Sequence, residues 1–152
     1  MVAYVTEGIR KVLEREEPLL LKLTQEAVSV PRNNQGRSAR QILGHLIDSA
    51  SNNHQRMVRL QYNGVLNFPD YTQDNDRWIA VQDYGHEDWQ VLVQLWKYYN
   101  LHMIHLMISA DATQFDNYWV DFEGNKVTLG EMIVGYLRHL EMHLSEIHEL
   151  TD

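Results

Sequence analysis

Residues Thr128 to Leu150 read TLGEMIVGYLRHLEMHLSEIHEL, the pattern of one uninterrupted amphipathic helix. Thr128 and Glu131 stand in the relation of a capping box, in which each side chain satisfies a free backbone N–H of the other's residue. Met132, Ile133, Tyr136, Leu140 and Ile147 then recur at three- and four-residue steps, so they share a face that must be buried. His139 and His143 sit one helical turn apart in the same sector. Two imidazoles so placed can hold one metal ion from the same side. The spacing alone is a low-specificity pattern, and two ligands do not make a site.

Three further stretches carry the same periodicity. From Val5 to Val30 the residues Ile9, Val12, Leu13, Leu20, Leu23, Ala27 and Val30 form one apolar stripe. Pro18 interrupts it, and an interior proline removes a backbone hydrogen bond and crowds the preceding turn. The expectation is a kink, or two segments with Pro18 opening the second. After the polar loop Pro31–Gly36, Ser38 and Gln41 form a second capping box. The helix that follows carries Leu43, Leu46, Ile47, Ala50, Met57 and Val58 as its apolar stripe. A second stripe beside it, Ile42, His45, Ser49, Asn52 and Arg56, is largely polar and could line a cleft. The third long helix takes His86-Glu87-Asp88 as its acidic first turn, which suits a helix N-terminus. It points Leu92, Leu95, Trp96, Tyr99, Met103 and Leu106 inward and ends near Ala110.

Residues 65–86 read as irregular, with a turn at Phe68-Pro69-Asp70-Tyr71 and a short helix within Asp76–Tyr84. Residues 112–127 allow a short hairpin. Four amphipathic helices of similar length with no linker or repeat predict one all-α domain over 1–152, a four-helix bundle with an irregular or hairpin excursion before the last helix.

Composition narrows the function. A formal charge of −8 opposes nucleic-acid binding, which needs a basic surface against phosphates. No apolar run reaches the ~18 residues of a membrane span, and the first residues do not read as a secretory signal, so a cytoplasmic location is expected. With no cysteine in the chain, a thiolate ligand or a cysteine nucleophile is excluded.

His45 lies early in a well-capped helix, on the polar stripe that borders the core. Metal sites in bundles are built from inward-facing side chains on different helices. His45 from one helix with His139 and His143 from another would give three ligands, leaving a coordination position open as in catalytic sites. Asp48 and Glu146 each follow a ligand histidine by three residues. Either could accept the second ring N–H of that histidine or serve in catalysis; solvated surface is the competing reading for both. Asn52 and Arg56, further along the stripe, are candidates for binding substrate. His54 reads as a hydrogen-bonded histidine at the core edge, His102 and His105 as structural or exposed, and Tyr71 and Trp78 as residues that could wall a pocket.

Taken together, several segments resemble the DinB-like superfamily of metalloenzymes. They are Ile42-Leu43-Gly44-His45-Leu46-Ile47-Asp48-Ser49, Phe68-Pro69-Asp70-Tyr71 with Gln73 and Trp78, Leu95-Trp96-Lys97-Tyr98-Tyr99-Asn100, and Val127-Thr128-Leu129 leading to Tyr136-Leu137-Arg138-His139 and His143. The match runs from about Ser38 onward. It departs from the family where a Trp-Ser pair usually precedes the second helix; here Gly36-Arg37-Ser38 keeps only the cap. The resemblance implies a divalent metal, zinc or nickel being the expected ions, held by His45, His139 and His143. It further implies a small-molecule substrate and a homodimer, and either metal-dependent hydrolysis or S-transfer from a low-molecular-weight thiol cofactor. A non-catalytic metal-binding or stress-related interaction bundle is the alternative.

Overall fold

The second and fourth long helices start where the sequence places their caps. The computed structural model describes residues 1–152. Its elements are α1 (Val2–Leu21), α2 (Gln25–Ser29), α3 (Ala39–Arg59), β1 (Val65–Leu66), α4 (Asn75–Val81), α5 (Trp89–Ser109), β2 (Tyr118–Val120), β3 (Lys126–Thr128) and α6 (Leu129–Thr151), with single 3₁₀ turns at Tyr84–His86 and Ala112–Gln114. Both capping boxes form. Gln41 Oε1 accepts the Ser38 N–H at 2.9 Å, and Ser38 Oγ accepts the Gln41 N–H at 3.4 Å. At α6 the reciprocal distances are 2.8 Å and 3.1 Å. Asp88 caps α5 through the Val91 N–H at 2.9 Å.

Pro18 does not open a second segment. It lies inside α1, which continues to Leu21. The break comes later because Leu20 is fully buried, its carbonyl accepts the Trp89 indole N–H at 2.7 Å, and Thr24 caps α2 through the Ala27 N–H. Tertiary packing outweighs the local cost of the proline.

The four long helices enclose one core in the order α1–α5–α3–α6, each packing on the next and α6 closing back on α1. Helices α1 and α3, consecutive long helices in the sequence, therefore stand diagonally opposite one another. So do α5 and α6, and across that diagonal the Tyr136 hydroxyl donates to Asn100 Oδ1 at 2.8 Å. The core collects Val5, Ile9, Leu43, Leu46, Trp96, Met103, Ile133 and Leu140 among others. Three residues assigned to apolar stripes face out instead: Val30 is 66%, Val58 36% and Leu95 42% exposed. Helix α5 is apolar on most sides, so its stripe is too broad to fix which leucine is covered.

Residues 112–127 do form the hairpin, β2 pairing antiparallel with β3 through Trp119 opposite Val127. β1 joins β2 in parallel, Val65 opposite Tyr118. The resulting three-stranded sheet joins the end of α3 to the start of α6; Asn117 helps by donating to the Leu60 carbonyl at 2.6 Å. Helices α3 and α6 consequently run antiparallel, and the first third of α3 faces the later half of α6.

Candidate metal centre

That antiparallel register brings His45 to His139 and His143, 94 and 98 residues further along the sequence. His45 lies in the second turn of α3, held there by the Ser38 cap and by Leu43 and Leu46 packed into the core. His139 and His143 flank Leu140, whose burial at 2% exposure turns both imidazoles toward α3. Ring centroids lie 4.8 Å apart for His45 and His143, 5.9 Å for His45 and His139, and 4.5 Å for His139 and His143. One ligand nitrogen from each of the three falls within 4.8 Å of the others. His45 and His143 are buried and His139 is half-buried, so the cluster sits at the edge of the core with one side open.

The donor set suits a divalent cation. Nε2 of His139 and Nε2 of His143 are 3.1 Å apart. Two imidazoles sharing a tetrahedral cation at ordinary bond lengths hold their nitrogens about 3.3 Å apart. Glu146 Oε2 lies 3.0 Å from His143 Nδ1; a carboxylate there takes the Nδ1–H and leaves the Nε2 lone pair for a ligand role. Burial, the neighbouring His143, the Arg37 guanidinium and His139 together depress the His45 pKa to about 3. Burial and His143 lower that of His139 to about 4. Both rings are therefore neutral at pH 7, the state a metal requires.

Asp48 corrects the expectation of solvated surface. It is 4% exposed; its Oδ1 accepts the Tyr84 hydroxyl at 2.8 Å and the Gln82 amide at 2.9 Å. Burial raises its pKa. It makes no hydrogen bond to His45, whose Nδ1 is buried without a partner, as is Asp48 Oδ2. Asn52 and Arg56 continue the stripe and are also buried. Asn52 donates to the Asp48 carbonyl and accepts the Tyr71 hydroxyl at 3.2 Å. Arg56 donates to Gln73 Oε1 at 2.8 Å and stacks over Trp119 at 3.9 Å from the ring centre. The polar stripe of α3 thus lies under the 68–84 segment, which its own side chains hold down. Tyr71 and Trp78 stack at 5.7 Å, and Arg77, Trp78, Val81 and Gln82 line a shallow apolar recess of about 400 Å³ beside Asp48's partner Gln82.

Arg37, Gln82 and Tyr84 escaped the sequence reading. Arg37 is buried and paired with Asp76 at 2.9 Å. A signal for Tyr84 was present: glycine in mid-helix marks a close approach, and a Cβ on Gly44 would collide with the Tyr84 ring. His54 lies at the core edge, bonded to the Tyr99 hydroxyl at 2.9 Å, while His102 and His105 are exposed.

A family model described as the DinB superfamily matches residues 9–147. Among solved structures, the chain is similar to YfiT from Bacillus subtilis at 19% identity and a TM-score of 0.87, over 98% of this chain and 85% of that one. That protein is described as "a probable metal-dependent hydrolase with an unusual four-helix bundle topology". No curated protein sequence matches.

Proposed function

Because the chain belongs to the DinB superfamily, we propose that it is a metal-dependent enzyme acting on a small molecule, with His45, His139 and His143 as the ligands and hydrolysis as the reaction. The observation that carries this reading is the convergence of three imidazoles from two helices at a half-open edge of the core. The description of YfiT as a metal-dependent hydrolase supports it. A divalent cation bound there supplies Lewis acidity at its open position.

The protein's own groups then divide the work. Glu146 is a positioning residue: through His143 Nδ1 it fixes the ring tautomer and presents Nε2. Asp48 is the acid–base candidate, since its Oδ2 has no partner and burial raises its pKa. Asn52 and Arg56 form the polar wall toward the substrate. The recess by Trp78 and Val81 would take an apolar substituent.

Elemental analysis of the untagged protein tests the site. One equivalent of zinc or nickel that is lost in His143→Ala supports it, and unchanged content in that variant would sink it. The metallated protein is then assayed on ester and amide panels and on conjugation of low-molecular-weight thiols to electrophiles. Turnover only in the thiol arm would reassign the reaction to S-transfer, and no turnover in either would favour a non-catalytic metal-binding bundle. An Arg56→Ala variant with unaltered KM would remove that residue from the substrate wall.

A further inference from the structure

Three of the remaining histidines gather on the opposite side of α3, where α3 meets α5. His54 projects from α3, and His102 and His105 occupy successive positions three residues apart on α5. The His54 and His102 rings lie 5.2 Å apart at 77°. That separation falls within the 4.5 to 5.9 Å range of the three rings at the first site. His105 stands 6.3 Å from His102, and as an exposed side chain it can turn toward the pair.

From this juxtaposition we propose a second metal site, in which His54 and His102, joined by His105, bind a zinc, nickel or copper ion at the α3–α5 surface. The site has the hydrogen bond that a ligating imidazole needs on its far nitrogen. His54 Nδ1 lies 2.9 Å from the Tyr99 hydroxyl, and with the phenol oxygen accepting the Nδ1–H, the lone pair sits on Nε2. Imidazole-only donors select for these borderline ions over magnesium or calcium. With His102 and His105 exposed, water fills the remaining positions, so this site binds more weakly than the buried one. It is independent of the function proposed above, sharing no residue with it.

The test is a zinc titration of the untagged, metal-stripped full chain by calorimetry, with nickel in parallel. The expected result is two equivalents in two affinity classes. His102→Ala should lose the weaker equivalent and keep the tighter one, whereas His143→Ala should do the reverse. Since His102 is exposed, its replacement should leave the unfolding transition of the stripped protein unchanged, so that a lost equivalent reports binding and not folding. A single equivalent in the wild type at saturating zinc would overturn the proposal. So would a second equivalent that survives in both His102→Ala and the double variant His102→Ala/His105→Ala.

Discussion

A single buried carboxylate, Asp48, shows how much one residue's surroundings decide. Its neighbours Tyr84 and Gln82 both donate to the same oxygen, and these bonds lower its pKa, but burial outweighs them and the net shift is upward. The folded state therefore binds the Asp48 proton more tightly than the unfolded chain does. Asp48's contribution to stability is full below its unfolded value of 3.8 and drains away as pH rises through the folded value. Asn at this position keeps an acceptor for Tyr84 and Gln82 and carries no charge. Metal-free Asp48→Asn should accordingly be more stable than wild type at pH 7, with the difference shrinking toward pH 4 in urea denaturation. An equal difference at both pH values would remove charge burial as the cause. The clustering of His45, His139 and His143 was legible residue by residue. Asp48's burial was not, because whether a helix carboxylate is covered depends on the 65–86 segment, which carries no periodic pattern to say where it lies.

Helix starts and helix contacts divide in the same way. Thr128 and Ser38 could be placed from their own four-residue motifs, since a cap depends only on local chain. Thr128→Ala should cost about 1 kcal/mol, read as a lowered denaturation midpoint without a change in slope; a neutral result would mean that the hairpin alone sets the start of α6. The close packing of α3 on the 3₁₀ turn at Tyr84 is the contrasting case. Gly44→Ala should push the Tyr84 ring away from α3 and loosen its bond to Asp48, destabilising by about 1–3 kcal/mol as overpacking commonly does. A crystal structure of the variant with Tyr84 unmoved would contradict this account. Val30, Val58 and Leu95 were read onto apolar stripes and are exposed. For Leu95 the reason is the breadth of the apolar surface of α5, while the continuity of α1 past Pro18 depends on a partner, the Trp89 indole that holds its end. A two-residue strand such as β1 has no sequence period at all.

For the molecule as a whole, metal occupancy of the proposed site would be coupled to folding. A cation that binds the folded site and not the open chain stabilises by about 2.7 kcal/mol when free metal is 100-fold above Kd. Chelation should therefore lower the unfolding temperature and zinc or nickel should restore it. The shift should be reduced or absent in His143→Ala; a full-sized shift there would place the stabilising ion elsewhere. The bundle was foreseeable from four amphipathic stripes, but the order α1–α5–α3–α6 was not, because amphipathicity tells a helix to bury a face without naming its neighbour. That order also bears on biosynthesis. The proposed site would draw one ligand from α3 and two from α6, the last of the four bundle helices to be made, so all three imidazoles could not gather on an ion while α1 to α5 are being made. Complete metal capture at the proposed site would therefore wait for the moment α6 docks.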